Sequence, residues 1–192
     1  MTAQKTVENL LCQADKSCLL VIDIQTRLTA VMPGKVLDRL KRNSTTLLKT
    51  AGHLSIPVMV TQQYPQGLGP VEPDIRSSIP EKSKQFEKTC FSCADAEDFM
   101  QELEATGKTQ VIIVGLEAHI CVLQTAIDLL CADYNVFVVI DAVCSRQREN
   151  YENAITRLQQ SGVTTCNTES VIFEWLKDAR HEYFKSVSAL VK

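Results

Sequence analysis

The sequence predicts an α/β fold: a three-layer α/β/α arrangement built on a mostly parallel, Rossmann-like sheet with helices on both faces. Three observations predict it. Short apolar runs alternate with amphipathic stretches along the chain. The runs are continuously apolar, as strands buried on both faces require. The spacing leaves room for right-handed crossovers between parallel strands. At 192 residues the chain suffices for one sizeable core and is short for two, so residues 1–192 read as a single domain.

The elements follow in order. Residues 17–24, SCLLVIDI, are an apolar strand ending in acid. Residues 34–53 carry Val36, Leu37, Leu40, Leu47 and Leu48 at helical spacing. Residues 56–62, IPVMVTQ, are a second strand, and 63–84, with four prolines and two glycines, one long irregular excursion. QFEKTCFS holds a short strand. Residues 95–108 read as a helix with acids in its first turns, suiting the dipole, and Gly107 near its end. VIIVG is a strand, 119–132 a helix, 136–143 a strand, 147–161 a helix closed by Gly162, and VTTCN a last strand. A helical C-terminal segment with Trp175, Tyr183 and Phe184 then offers apolar cover for the core or for a partner subunit.

Composition excludes several classes of function. Hydrophobic residues make up 45% and charged residues 22%, ordinary for a globular protein. A formal charge of -3 gives no electrostatic case for a nucleic-acid or anionic-membrane partner. No apolar run approaches the roughly 20 residues that cross a bilayer, and residues 1–17 lack an apolar signal core; the expected location is cytoplasmic. Of the eight cysteines, several sit inside apolar periodic segments, which favours reduced thiols over a disulfide framework. Cys90 and Cys93 have C-x-x-C spacing, but no second such pair exists and the only histidines are His53, His119 and His181. No metal and no cofactor is expected. GLGP lacks the P-loop lysine and the dinucleotide spacing.

Ligands of such sheets bind beyond the carboxyl ends of the strands, which singles out the polar residues placed there. Asp23 ends the first strand; a buried carboxylate needs a partner or a task. Asp141 has the same placement but reads better as a cap. Cys121 falls in the first turn of the helix after VIIVG, where the dipole and free N–H groups are expected to lower a thiol's pKa. The opposing reading is a buried, inert cysteine. Lys88, if it reaches both, would stabilise the acid and the thiolate.

Together LLVIDIQ, PVMVTQQYPQGLGP, KTCFSC and GLEAHICVLQTAIDLL resemble the isochorismatase-like cysteine hydrolases, and most of all the isochorismatase domain-containing branch. The resemblance implies an Asp23–Lys88–Cys121 triad. In it the acid takes the thiol proton and the cysteine forms a covalent thioester-type intermediate with a small-molecule amide or related C–N substrate. It also implies a cis Leu116–Glu117 bond, an oxyanion hole from the N–H groups of Glu117 and Cys121, and a homo-oligomer. Gln25, Gln62, Tyr64, Phe91 and His119 are the expected substrate-binding residues, with His119 at the rim. The segment TQQYPQGLG carries no Asp or His, unlike the metal-holding block of nicotinamidases, so metal-dependent nicotinamidase chemistry is not expected. Leu28 stands where many relatives have an aromatic ring, which weakens the case for stacking a flat substrate. A non-catalytic or redox-sensing member acting through oligomer or partner contacts is the alternative.

Overall fold

The structure, a computed structural model, describes residues 10–191. Part of the segment on which the reading of a missing signal rests, residues 1–9, lies outside them. Six strands, β1 (Ser17–Ile22), β2 (Val58–Gln63), β3 (Lys84–Lys88), β4 (Gln110–Leu116), β5 (Asn135–Cys144) and β6 (Thr164–Cys166), form one sheet in the order β3-β2-β1-β4-β5-β6. Every neighbouring pair is parallel. The chain runs outward from β1 to β3, then returns to the other side of β1 for β4. The reversal opens a crevice beyond the carboxyl ends of β1 and β4, where doubly wound sheets bind their ligands.

The strands are apolar on both faces because both faces are covered. Leu19, Val21, Val58, Val60, Ile112 and Val114 pack with Leu40, Leu47 and Leu48 of α2 (Gly34–His53) and with Ile172 and Trp175 of α8 (Thr168–Leu176). The alternate residues Leu20, Ile22, Met59, Val111 and Ile113 pack with α5 (Phe99–Ala105), α6 (Leu123–Cys131) and α7 (Arg148–Ser161). Alternation with a period of two thus loads two cores from the same strands. The C-terminal aromatics expected to cover the core do so in part: Trp175 is buried, with Tyr183 and Phe184 packed against the same cluster.

Gly115 brings β1 and β4 together at the crevice. Its φ is +127°, and a Cβ there would lie 2.0 Å from the Ile22 carbonyl oxygen. The β4–β5 register also shifts between Ile113 and Gly115, so the sheet bends where the loop to Cys121 begins.

Some expected boundaries move. The first strand stops at Ile22 because Asp23 is left-handed, with φ 51°. The excursion at 63–84 contains two short helices, α3 (Pro65–Leu68) and α4 (Pro73–Arg76), and α1 (Thr26–Thr29) precedes α2. The helix expected at 95–108 is α-helical only over Phe99–Ala105, since Asp98 is also left-handed (φ 59°) and a 3-10 turn, Cys93–Asp95, precedes it. The helix expected from 119 opens as a π turn, Ala118–Val122, before α6. After α8 comes α9 (Phe184–Ser188). Among the described residues no helix is long and apolar enough to cross a membrane.

Candidate active site

Asp23 leaves β1 in a left-handed conformation that Asp tolerates better than most residues. Its N–H donates to the Thr61 carbonyl at 3.2 Å and its own carbonyl accepts from the Gln25 N–H at 2.8 Å. The turn aims the carboxylate across the carboxyl ends of β2 and β3. Oδ1 accepts from the Thr61 hydroxyl at 2.7 Å and Oδ2 from Lys88 Nζ at 2.7 Å. The Cys121 thiol lies near enough to the same carboxylate to feel its charge. Both charged side chains of the Lys88–Asp23 pair are fully shielded from solvent.

Lys88, the last residue of β3, is inside because it is saturated with acceptors. Besides Asp23, its ammonium donates to Gln63 Oε1 at 2.7 Å, the Phe91 carbonyl at 3.1 Å and the Cys90 carbonyl at 3.3 Å. Burial works against its charge. The Asp23 carboxylate, with Cys93 and Cys121 acting in the same direction, more than offsets this and holds the ammonium above the ordinary lysine value.

Cys121 is 6% exposed and lies in the π turn at the crevice. The structure corrects the expected direction of its pKa. Burial first, and then the Asp23 charge and hydrogen bond, push the thiol well up, while Lys88 pulls it down without balancing them. A helix terminus supplies a fraction of a charge, whereas Asp23 supplies a whole one in contact. At rest the Cys121 side chain is therefore a neutral S–H beside the Asp23 carboxylate. Cys93, fully buried, completes the cluster: its Sγ lies 3.7 Å from Thr61 Oγ1 and its N–H donates to Thr125 Oγ1 at 2.9 Å. Burial and the Asp23 charge push its thiol up to about 12.

The other expected site residues divide. The Leu116–Glu117 bond is cis. The Glu117 carboxylate, nearly buried, accepts from the Arg146 backbone N–H at 3.1 Å and Nε at 3.2 Å. His119 keeps to the rim, its Nδ1 3.0 Å from Ser145 Oγ. Phe91 contributes its carbonyl to Lys88, while its ring is 53% exposed. Tyr64 is equally exposed, its ring lying over Gly67 and its N–H donating to the Lys88 carbonyl at 2.8 Å. Gln25 is not a substrate ligand. It is fully buried, with Nε2 on the Gln63 and Gly69 carbonyls at 3.0 and 2.7 Å and Oε1 accepting from the Gln63 N–H at 2.7 Å. Gln62 is not brought to the cluster either, because it projects from the side of β2 opposite Thr61 and Gln63. Asp141 caps as expected, but its partner is distant in sequence: Oδ1 accepts from the N–H and hydroxyl of Thr168 at 2.8 and 2.9 Å.

Sequence reasoning missed Thr61, Gln63 and Cys93. The signal was available for the first two, since residues two apart at a strand's end share a side, and the side is fixed by whichever one meets Asp23. Cys93 carried no distinguishing signal beyond its C-x-x-C spacing with Cys90.

Comparison with known proteins places this geometry among relatives. The isochorismatase domain family matches residues 17–170. Isochorismatase domain-containing protein 2 of Bos taurus is 42% identical over 147 residues, spanning 76% of this chain and 70% of the relative. Isochorismatase family protein 1B of Dictyostelium discoideum is 32% identical over 93% of this chain and 87% of its own length. Among solved structures, one described as the MAR1 ribonuclease of Caenorhabditis elegans superposes with a TM-score of 0.88 at 35% identity, covering 94% of this chain and 92% of that one. YcaC from Pseudomonas aeruginosa, solved with hexane-2,5-diol and covalent acrylamide, gives 0.89 at 26% identity over 97% and 93%.

Proposed function

The chain belongs to the isochorismatase family, and from that premise we propose that it is a hydrolase that cleaves a small-molecule amide or related C–N bond through Cys121, Asp23 and Lys88. The observation that carries the reading is the Asp23 carboxylate, held by Lys88 and Thr61 at 2.7 Å each and acting on the nearby Cys121 thiol. Two of its oxygen directions are fixed by donors, which leaves the thiol as the proton it is set to take.

As the sulfur attacks the substrate carbonyl carbon, the S–H proton passes to Asp23 and a C–S bond forms. The N–H groups of Glu117 and Cys121 are assigned to the developing oxyanion. The tetrahedral intermediate collapses with cleavage of the C–N bond, and Asp23 gives the proton to the departing nitrogen. Water then attacks the thioester, losing a proton to Asp23, and the carboxylic acid leaves as the thiol is restored. Lys88 remains a cation throughout. No step passes through a metal.

The raised Cys121 pKa disfavours the redox-sensing alternative, because the thiolate is the form that oxidants attack. One relative is described as a ribonuclease. For this chain, a net charge of -3 and a buried carboxylate at the centre of the cluster oppose a polyanionic substrate. The test is a screen of small amides, carbamoyl compounds and hydroxamates against wild type and Cys121→Ala. Turnover by the wild type alone is expected. Undiminished turnover by Cys121→Ala would refute the mechanism.

A further inference from the structure

We infer that Gln63 is the positioning residue that fixes the Lys88 ammonium against Asp23; the inference rests on the hydrolase reading above. An ammonium has three hydrogens, and Lys88 Nζ has four oxygens around it. The two closest, at 2.7 Å each, are Asp23 Oδ2 and Gln63 Oε1. The carbonyls of Phe91 and Cys90 lie farther away, at 3.1 and 3.3 Å. No hydrogen remains for a substrate. Lys88 therefore acts through its charge, and its value to Asp23 depends on where the nitrogen is held.

Gln63 is built to hold it. Its Nε2 donates to the Thr89 carbonyl at 2.7 Å, so the amide cannot turn over without placing a donor against the ammonium. Its backbone is clamped on both sides by Gln25, whose Oε1 accepts from the Gln63 N–H and whose Nε2 donates to the Gln63 carbonyl. The remaining Gln25 hydrogen reaches Gly69 at 2.7 Å. The two glutamines thus lock the ends of β1, β2 and β3 in one register, with Lys88 and Asp23 between them. Removing the Gln63 oxygen frees the ammonium to follow the Cys90 and Phe91 carbonyls away from the carboxylate. Asp23 then takes up its proton more readily and stops accepting the one from Cys121.

The test is the pH dependence of acrylamide addition to Cys121 in the full-length chain, followed by intact mass and peptide mapping from about pH 4 to about pH 9, a range that spans ordinary carboxylate and thiol titrations. The wild type is expected to show an acid limb that reports protonation of Asp23. In Gln63→Met, which keeps length and apolar bulk without the acceptor, the limb moves up by about one pH unit. Labelling on the rising limb then falls about tenfold at fixed pH, and the plateau changes less. Gln63→Glu retains the reach and the acceptor but adds a charge that competes for Lys88, so its limb also moves up; it serves if the Met variant does not fold. A merely structural role would lower the melting temperature and leave the limb in place. Limbs of folded variants that coincide with the wild type overturn the role of Gln63 alone. A wild-type Cys121 that is not labelled, or is labelled with no acid limb, overturns the hydrolase reading and this inference together.

Discussion

The Lys88–Asp23 pair is predicted to be indispensable to stability only one half at a time. The charges are 2.7 Å apart with neither side chain exposed. At that distance and an effective dielectric near 20, their attraction is on the order of 6 kcal/mol. Desolvation of both groups offsets much of it, so the pair as a whole is close to neutral against an apolar substitute. Breaking one half leaves the other charge buried and costs about 3–5 kcal/mol. Asp23→Asn should sit at the low end, because Lys88 keeps Gln63 and the Cys90 and Phe91 carbonyls. Lys88→Met should sit at the high end, because of the side-chain donors to the carboxylate only the Thr61 hydroxyl remains. The double variant should recover to within about 2 kcal/mol of wild type. Urea unfolding of the four proteins, with midpoints and slopes fitted separately, measures the cycle. All three variants should be inactive, so that stability returns without activity. Additivity within about 0.5 kcal/mol would mean the two groups are not paired in the folded protein.

Two further outcomes follow from the same contacts. Burial holds Cys18, Cys93 and Cys144 up to about 12 against an ordinary 9.0. The unfolded chain therefore loses thiol protons that the folded one keeps, and stability, complete below pH 9, falls as pH rises through the window from 9 to 12. At pH 10 each thiol costs on the order of 1 kcal/mol, and the three together a few kcal/mol. Urea melts under reducing conditions at pH 8 and pH 10 measure this, and equal stabilities would contradict it. Gly115→Ala should remove most soluble protein in an expression and thermal-melt comparison, since its Cβ would meet the Ile22 carbonyl oxygen at 2.0 Å and φ is +127°; a variant melting with the wild type would show that β1 and β4 are not so close.

Much of this architecture was legible because it rests on patterns local to each element. Continuous apolar runs declared the strands, and a parallel sheet must place Asp23, Lys88 and the 116–121 loop at one end. What was not legible depended on phase and on distant partners. β2 was bounded one residue short, at Gln62 rather than Gln63, and in a strand one residue is a change of side. The residue assigned to the site was therefore the wrong glutamine. Gln25 was misread for another reason: nothing in the local sequence shows that its amide is consumed by carbonyls 38 and 44 residues away. The shortening of α5 depends on one backbone dihedral at Asp98, which propensity does not encode. The strand order, and with it the crevice between β1 and β4, is a property of the whole chain.

In the proposed mechanism, the charge balance of the cluster lets a protonated thiol serve as nucleophile in so dry a place. Before attack the buried charges are the Lys88 ammonium and the Asp23 carboxylate; after the proton moves they are the same ammonium and a thiolate. The number of buried charges does not change, and only the negative one relocates, toward the reacting carbon. A Cys–His pair must instead create two charges from two neutral groups or hold both at rest. Thiol ionisation and turnover can be separated on the same contacts. Asp23 raises the Cys121 pKa by its charge and its hydrogen bond, and Lys88 lowers it. Asp23→Asn removes the first influence and keeps the second, leaving the Cys121 and Cys93 thiols as the acids beside an ammonium that has lost its carboxylate. Iodoacetamide labelling of Cys121 should then develop at lower pH in Asp23→Asn than in the Asp23→Asn, Lys88→Met double variant, although neither can return a proton to a leaving nitrogen and both should hydrolyse nothing. If the two variants are instead labelled over the same pH range, Lys88 is not acting on the sulfur.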